Sequence, residues 1–468
     1  MDWDAFRSRG RDAADWAADY HAGLRDRPVR AQVRPGETLA ALPLEAPEAA
    51  EPLEEILADL DTKIMPGMTH WQHPRFFAYF PANAAPVSAL AEVYVSTIAA
   101  QCMLWQTSPA ATELETRVCD WMRSAVGLPE GFSGVIQDSA SGATLCAVLT
   151  MRERALNWAG NTQGLSGQPR LRIYASAEVH SSIDRAIWIA GIGEENLVRI
   201  PASGASRAMQ IPALQKAISE DRAAGYLPAG IIACVGGTSA GATDEISAVM
   251  DVAETEGLYT HVDAAWAGAA MICPAYQYLW QGVERADSIV LNPHKWLGAQ
   301  FDCTTHFVRS PEDLVKTLAI QPEYLKTHGT DGIINYSEWS VPLGRRFRAL
   351  KLWFLLRAHG LAGLRQMIES HVTWAEDLAE RIAQAPGFEI VTQPMLSLFT
   401  FRYARAGADL DALNMALVNA INDDGRIYIT QTRIDGALVI RFQAGTWSCT
   451  KEDVDLAYDV ITEIAAGL

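Results

Sequence analysis

Two short stretches carry residue types capable of covalent chemistry. His261-Val262-Asp263 ends an apolar run and passes into Ala264-Ala265-Trp266-Ala267-Gly268. That places a carboxylate beside residues with almost no side chain, where something flat could lie against the backbone. The next such run ends in Asn292-Pro293-His294-Lys295-Trp296. Lys295 follows Asp263 by 32 positions, the length of one strand-helix-strand crossover of about 30 residues, so both side chains are expected to face one crevice. An amine and an anion so placed match the needs of pyridoxal 5'-phosphate: an amine to hold its aldehyde carbon, and an anion to keep the pyridine nitrogen protonated so that the ring accepts electrons.

Such a cofactor also needs an anion site. Gln137-Asp138-Ser139-Ala140-Ser141-Gly142-Ala143-Thr144 follows a short apolar strand and opens an apolar helix, offering backbone N–H groups and hydroxyls to a phosphate. Alone, a Ser/Gly-rich helix start reads as ordinary capping; combined with Asp263 and Lys295, the phosphate reading becomes much stronger. His180, in Ala177-Glu178-Val179-His180-Ser181-Ser182, follows another strand and either stacks on a cofactor ring or plays a structural part. Gly236-Gly237-Thr238-Ser239-Ala240-Gly241 is either a plain tight turn or a loop that brings the Thr238 hydroxyl to the cofactor's edge. His70-x-x-His73 lacks an obvious third ligand, so no metal is expected.

The elements that must position these residues are short apolar runs, starting near Phe132, each followed by a turn and a helical stretch. Leu171 to Ala175, Gly230 to Val235, Tyr259 to Val262 and Ser288 to Leu291 read as buried strands. Strands alternating with helices predict an α/β chain with a mainly parallel sheet, whose ligands bind beyond the carboxyl ends of the strands. Three segments are expected: residues 1–80, an N-terminal helical arm; 81–348, the large α/β domain; and 349–468, a smaller α+β domain. In the first, Trp3, Phe6, Ala13, Trp16 and Tyr20 share one helical face, to be packed on its own domain or on a second subunit, and Pro43 to Pro52 reads as a linker. The last comprises a helix over Leu350 to Ala385, strands at Phe388–Thr392, Leu396–Tyr403, Arg426–Thr430 and Ala437–Phe442, and a helix from Lys451.

Composition narrows the partners. The 468 residues hold 38 Lys+Arg against 56 Asp+Glu, a net charge of −18, which repels nucleic-acid phosphate and anionic lipid. A small molecule or another protein is the expected partner, with no nucleic acid and no membrane. No apolar run approaches the roughly 20 residues of a membrane span, and Met1-Asp2-Trp3-Asp4 lacks a basic start, so a cytoplasmic location is expected. Seven cysteines without a C-x-x-C pair read as reduced packing residues.

These motifs resemble the pyridoxal-phosphate decarboxylases of the aromatic-L-amino-acid decarboxylase group, the group II decarboxylases, which have the aspartate-aminotransferase-like fold type I. The likeness extends through Met68-Thr69-His70-Trp71-Gln72-His73-Pro74, Ser108-Pro109-Ala110-Ala111-Thr112-Glu113-Leu114-Glu115 and Pro342-Leu343-Gly344-Arg345-Arg346-Phe347-Arg348. It implies Lys295 as the Schiff-base lysine, Asp263 as the pyridinium partner and His180 as the stacked residue. Ser139, Ala140, Ser141, Asn292 and His294 are implied cofactor contacts, with Ala265 near the ring and Ser288 a further candidate. Gln321-Pro322-Glu323-Tyr324-Leu325-Lys326 resembles the family's catalytic loop, with Tyr324 as the acid that protonates Cα; without the family Tyr324 is an ordinary loop tyrosine. Gly329 and Gly332 suit a closing lid over Tyr324 to Asn335.

Trp71, Tyr79, Phe80 and Pro81 correspond to family positions lining the side-chain pocket, which favours a flat amino acid over glutamate or cysteine sulfinate. Ala82 stands where the animal enzymes have threonine and Met103 where they have phenylalanine, which removes a contact to a catechol hydroxyl. Gly344 leaves room where some phenol-preferring plant relatives carry serine, which tilts the expectation toward indolic substrates. The implied reaction is decarboxylation of an aromatic L-amino acid (tryptophan, phenylalanine, tyrosine or dopa) to the arylalkylamine and carbon dioxide, by a homodimer with interfacial active sites. Two alternatives stand beside it: an aromatic aldehyde synthase, in which oxygen intercepts the carbanion, and a non-catalytic binding protein. In family terms the synthase goes with phenylalanine at the loop tyrosine or asparagine at the stacked histidine, so Tyr324 and His180 favour simple decarboxylation.

Overall fold

Apolar runs without polar alternation belong to strands covered on both faces, and here they build one sheet. The computed structural model describes residues 1–320 and 332–468. In chain order the strands of its first part are β1 (Ser133–Gln137), β2 (Leu171–Ser176), β3 (Leu197–Ile200), β4 (Ala202–Ser203), β5 (Ala208–Met209), β6 (Leu227–Cys234), β7 (Tyr259–Asp263), β8 (Ser288–Leu291) and β9 (Thr304–Val308). The short β4 and β5 pair only with each other, and the other seven form a sheet in the order β1-β9-β8-β7-β6-β2-β3. Only β9 runs against its neighbours; the pairings from β8 through β3 are all parallel. Every residue of β7 and β8 is buried.

The connection from β7 to β8 differs from the expected strand-helix-strand crossover. It consists of three 3-10 pieces, Ala267–Ile272, Pro274–Trp280 and Val283–Arg285. Pro274 and Gly282 interrupt any longer helix: Gly282 has φ +96°, and a Cβ there would stand 2.7 Å from Ser247 Cα. The strand ends are nonetheless adjacent, with His261 opposite Ser288 and Asp263 opposite Val290.

The chain divides into two compact units, Ala82–His371 and Met1–Pro81 with Val372–Leu468. The terminal segments, expected as separate pieces, thus fold together. Phe77 N–H donates to Tyr428 O at 2.9 Å, and Arg25 and Arg75 both pair with buried Asp453. Their sheet contains β10 (Phe388–Met395), β11 (Leu398–Tyr403), β12 (Thr430–Ile434) and β13 (Ala437–Gln443), antiparallel in the order β10-β11-β13-β12. The strand expected over Arg426–Thr430 instead begins at Thr430. Ile427 and Ile429 do alternate into the core, but the backbone of Tyr428 bonds to Arg75 and Phe77 rather than to the sheet. The long helix spans Ala349–Gln384, interrupted at Gly360, which has φ 62°.

The N-terminal helix Trp3–Ala22 buries none of its residues. Trp16 Nε1 donates to Asp61 at 3.0 Å and the Tyr20 hydroxyl bonds His70 Nδ1 at 2.9 Å. His73 Nδ1 accepts from the Arg75 N–H, so each histidine of the suggestive pair has a local task. Among the described residues no three potential metal ligands cluster, and no helix is long and apolar enough to cross a membrane. All seven cysteines are free and buried; burial pushes the Cys102 thiol up to about 11 and those of Cys146 and Cys303 up to about 12.

One buried ion pair ties β1 to the Pro342–Arg348 segment. Arg345 and Glu115 are each about 2 % exposed at the side chain and meet at 2.6 and 3.1 Å. Glu115 also accepts the Ile136 N–H at 2.9 Å, and Arg345 donates to Ile136 O at 2.6 Å. Removing one partner of such a pair leaves an uncompensated buried charge. Glu115→Gln is therefore expected to lower the unfolding free energy by about 3 kcal/mol, read as a lower midpoint in urea denaturation.

Candidate active site

Asp263 closes β7 between the ends of β6 and β8, opposite Cys234 and Val290. Its side chain is fixed by its own turn: Oδ1 accepts the Ala265 N–H at 3.0 Å, which leaves Oδ2 to face a ligand. The chain leaving β8 stays close, because Asn292 N–H donates to Ala265 O at 2.9 Å and Lys295 N–H to Asn292 O at 2.9 Å. Asn83, next to Ala82, clamps the turn from outside, its N–H on His294 O at 3.0 Å and its Nδ2 on Lys295 O at 2.8 Å. Behind it, Trp266 and Trp296 stack at 5.0 Å, and Trp296 Nε1 donates to His371 Nδ1 at 2.9 Å.

Two side chains of this turn are left as donors. Asn292 Oδ1 accepts from Thr304 Oγ1 at 2.8 Å, so its Nδ2 hydrogens are what it offers. His294 Nδ1 accepts the Cys303 N–H at 3.0 Å, and burial lowers its pKa to about 3. The neutral ring must then carry its proton on Nε2.

His180 lies in the field of both charges. Desolvation lowers its pKa, the Asp263 carboxylate opposing that shift and the Lys295 ammonium adding to it, while the residue keeps an exposed edge. Its Nδ1 accepts the Ser182 N–H at 3.1 Å, which again assigns the proton to Nε2. The Thr238 loop is fixed by Gly236 and Gly237, whose N–H groups both donate to Ala242 O. Gly236 has φ +80°, and a Cβ there would lie 2.5 Å from Ala267 Cβ, so this loop approaches the segment after Asp263 only because it has none.

The Ser139 hydroxyl caps the helix Ala140–Ala155 by accepting the Gly142 N–H at 3.1 Å, and it donates to Asp138 Oδ1 at 3.0 Å. Capping therefore uses the hydroxyl and leaves the N–H groups of Ala140 and Ser141 as the helix-end donors. Ser139, Ser141 and Gly142 border a cavity of about 230 Å³ whose lining also includes Asp138, Arg185 and Pro342. A Cβ on Gly142 would stand 2.5 Å from Asp138 Oδ1, so the tight helix start needs glycine. An amine, a carboxylate with one oxygen left over, and a helix N terminus make a donor set that fits a phosphorylated pyridine aldehyde.

Other expected residues fall elsewhere. Ser288, a cofactor candidate by the resemblance, starts β8 as the sequence predicts, and its buried hydroxyl lies between His261 and His306 at 2.8 Å from each; it does not join the group at the strand ends. Tyr324 lies outside the described residues, as does most of the Tyr324–Asn335 stretch. Met103 O accepts the Ser337 N–H at 3.0 Å. Gly344 borders a second cavity, of about 410 Å³, and a Cβ there would meet only Gln101 Nε2, at 3.4 Å. Trp71, Tyr79, Phe80 and Pro81 belong to the other unit, where Trp71 stacks on Tyr79 at 5.9 Å. Two residues that sequence reasoning missed stand beside them. Tyr428 packs edge-on against Tyr79, and buried Arg441 donates to Tyr79 O at 2.8 Å with its guanidinium 4.6 Å from the Phe80 ring. An arginine inside the apolar alternation of Val439-Ile440-Arg441-Phe442 was the available signal.

With this geometry in place, comparison with known proteins is informative. The pyridoxal-dependent decarboxylase conserved domain matches residues 35–404. Phenylacetaldehyde synthase of Arabidopsis thaliana is 38% identical over 480 residues, covering 100% of this chain and 97% of that protein. Aromatic-L-amino-acid decarboxylase of Rattus norvegicus is 38% identical over 485 residues, covering 100% and 99%. The crystal structure of Catharanthus roseus tryptophan decarboxylase in complex with L-tryptophan superposes with a TM-score of 0.94 at 34% identity, covering 100% of this chain and 99% of that one. The chain belongs to the pyridoxal-dependent decarboxylases, carboxy-lyases of fold type I, and its cofactor is pyridoxal 5'-phosphate.

Proposed function

We propose that this decarboxylase acts on an aromatic L-amino acid and releases the arylalkylamine and carbon dioxide. The reading is supported by Asp263 ending β7 beside β8, whose chain continues to Lys295, and by the charges of both residues acting on His180. Bound there, pyridoxal 5'-phosphate supplies an electron sink for the pair released when the Cα–carboxylate bond breaks. Lys295 would tether the cofactor through its amine. Asp263 would keep a proton on the pyridine nitrogen, because an anion there favours the protonated ring. The Ala140 and Ser141 N–H groups, the Asn292 Nδ2 hydrogens and His294 Nε2–H would hold the phosphate. Ala265 would leave room for the ring, Thr238 would donate to it, His180 would stack on it, and Tyr324 would return a proton to Cα.

The aromatic preference is supported by the relatives' own substrates and by residue type. We assign the substrate ring to Trp71, Tyr79, Phe80 and Pro81, the positions whose family counterparts line the side-chain pocket. We also propose a homodimer. The helix Pro86–Ile98 leaves Leu90, Val93, Tyr94 and Ile98 between 51 and 58% exposed, an apolar face that a second copy would cover. Seven reduced, buried cysteines suit the cytoplasm.

Three measurements test this reading. Aerobic incubation of the cofactor-loaded enzyme with tryptophan, phenylalanine, tyrosine, dopa and glutamate separately is expected to give amine from the aromatic substrates with little peroxide. Aldehyde with equimolar peroxide would instead identify a synthase, and product from glutamate alone would remove the assignment of Trp71 to Pro81. Tyr324→Phe should retain cofactor and substrate binding and shift product from amine to aldehyde; an unchanged amine yield removes Tyr324 from the proton-donor role. Sedimentation equilibrium is expected to give a dimer, and an active monomer would exclude an interfacial site.

A further inference from the structure

Four polar side chains outside the site form a buried line beneath it. Thr144 on the helix Ala140–Ala155, His261 on β7, Ser288 on β8 and His306 on β9 are each 0% exposed. Thr144 Oγ1 is 3.2 Å from His261 Nε2, His261 Nδ1 is 2.8 Å from Ser288 Oγ, and Ser288 Oγ is 2.8 Å from His306 Nε2. Burial lowers the pKa of both rings, so the line is held by neutral hydrogen-bonding groups, while His306 Nδ1 at its far end is buried without a partner.

The line joins the two elements that grip opposite ends of the cofactor. Thr144 lies five positions beyond Ser139, about 7.5 Å along a helix. His261 lies two positions before Asp263 on the same face of β7, about 6.6 Å along a strand. We propose that the Thr144–His261 bond, backed by Ser288 and His306, sets the spacing between the phosphate-holding helix end and the Asp263 carboxylate. Thr144 and His261 are then positioning residues for a ligand held at both ends. This rests on the family's cofactor and on no assignment of substrate, and its test uses none.

Apoenzyme of the wild type and of Thr144→Val, which removes the hydroxyl and keeps the shape, is titrated with pyridoxal 5'-phosphate and, separately, with pyridoxal, which lacks the phosphate. Binding is followed by cofactor absorbance and by quenching of tryptophan emission. The Kd for pyridoxal 5'-phosphate is expected to rise about fivefold, the equivalent of one net hydrogen bond, with that for pyridoxal unchanged, since a ligand held at one end does not sense the spacing. Thr144→Ser should restore the wild-type affinity. Equal weakening of both ligands, an unchanged affinity for pyridoxal 5'-phosphate, or a serine variant as weak as the valine one overturns the proposal. Should the valine variant fail to fold, Ser288→Ala breaks the line from the sheet side. The same split between the two ligands is expected there, and its absence is equally decisive.

Discussion

The site depends on the parallel register of β7 against β8. Because Asp263 pairs with Val290, the two strands end within one residue of each other, and the backbone bonds that continue the ladder, Ala264 to Val290 and Asn292 to Ala265, carry that alignment into the loops. A slip by one residue would turn each side chain to the other face of the sheet, taking the Asp263 carboxylate away from the strand-end turn that leads to Lys295. The clamp by Asn83 and the stacked Trp266 and Trp296 act on a turn whose place is already set.

Burial then decides which groups hold charge. His261, His294, His306 and His371 are all buried and shifted toward the neutral form, so each serves as a neutral hydrogen-bonding group instead of an added cation. Elsewhere in the same unit, Arg345 pairs with Glu115 and Lys351 with Glu92 at 2.7 Å. Neutral buried histidines thus add no cations to the field of Asp263 and Lys295.

What the sequence made legible was local. Strands at Leu171, Tyr259 and Ser288 were readable because residues buried on both faces leave unbroken apolar runs, and Asp263 and Lys295 stood out because each closes such a run. Distant pairing was not readable. Tyr79 and Tyr428 are 349 positions apart, and no local pattern announces that they meet or that Arg441 bonds the Tyr79 carbonyl. Ser288 was rightly read as the start of a strand, but its pairing with His261 and His306 joins separate strands and has no local signal. The Arg426–Thr430 stretch has a strand's alternation, yet its backbone partner is the chain around Phe76. The 3-10 pieces between β7 and β8 replace a helix because Pro274 and Gly282 each stop one.

The buried thiols have a consequence for an enzyme whose cofactor is an aldehyde. Nucleophilic sulfur adds to aldehydes as thiolate, and a thiol with a pKa of about 12, as at Cys146 and Cys303, is ionised at neutral pH to roughly one part in 10⁵. The interior therefore offers the free cofactor no competing sulfur, and the amine of Lys295 meets its carbonyl without a rival. The same protonated state makes these positions poor targets for oxidants and electrophilic metabolites, so that chemical durability comes from packing alone.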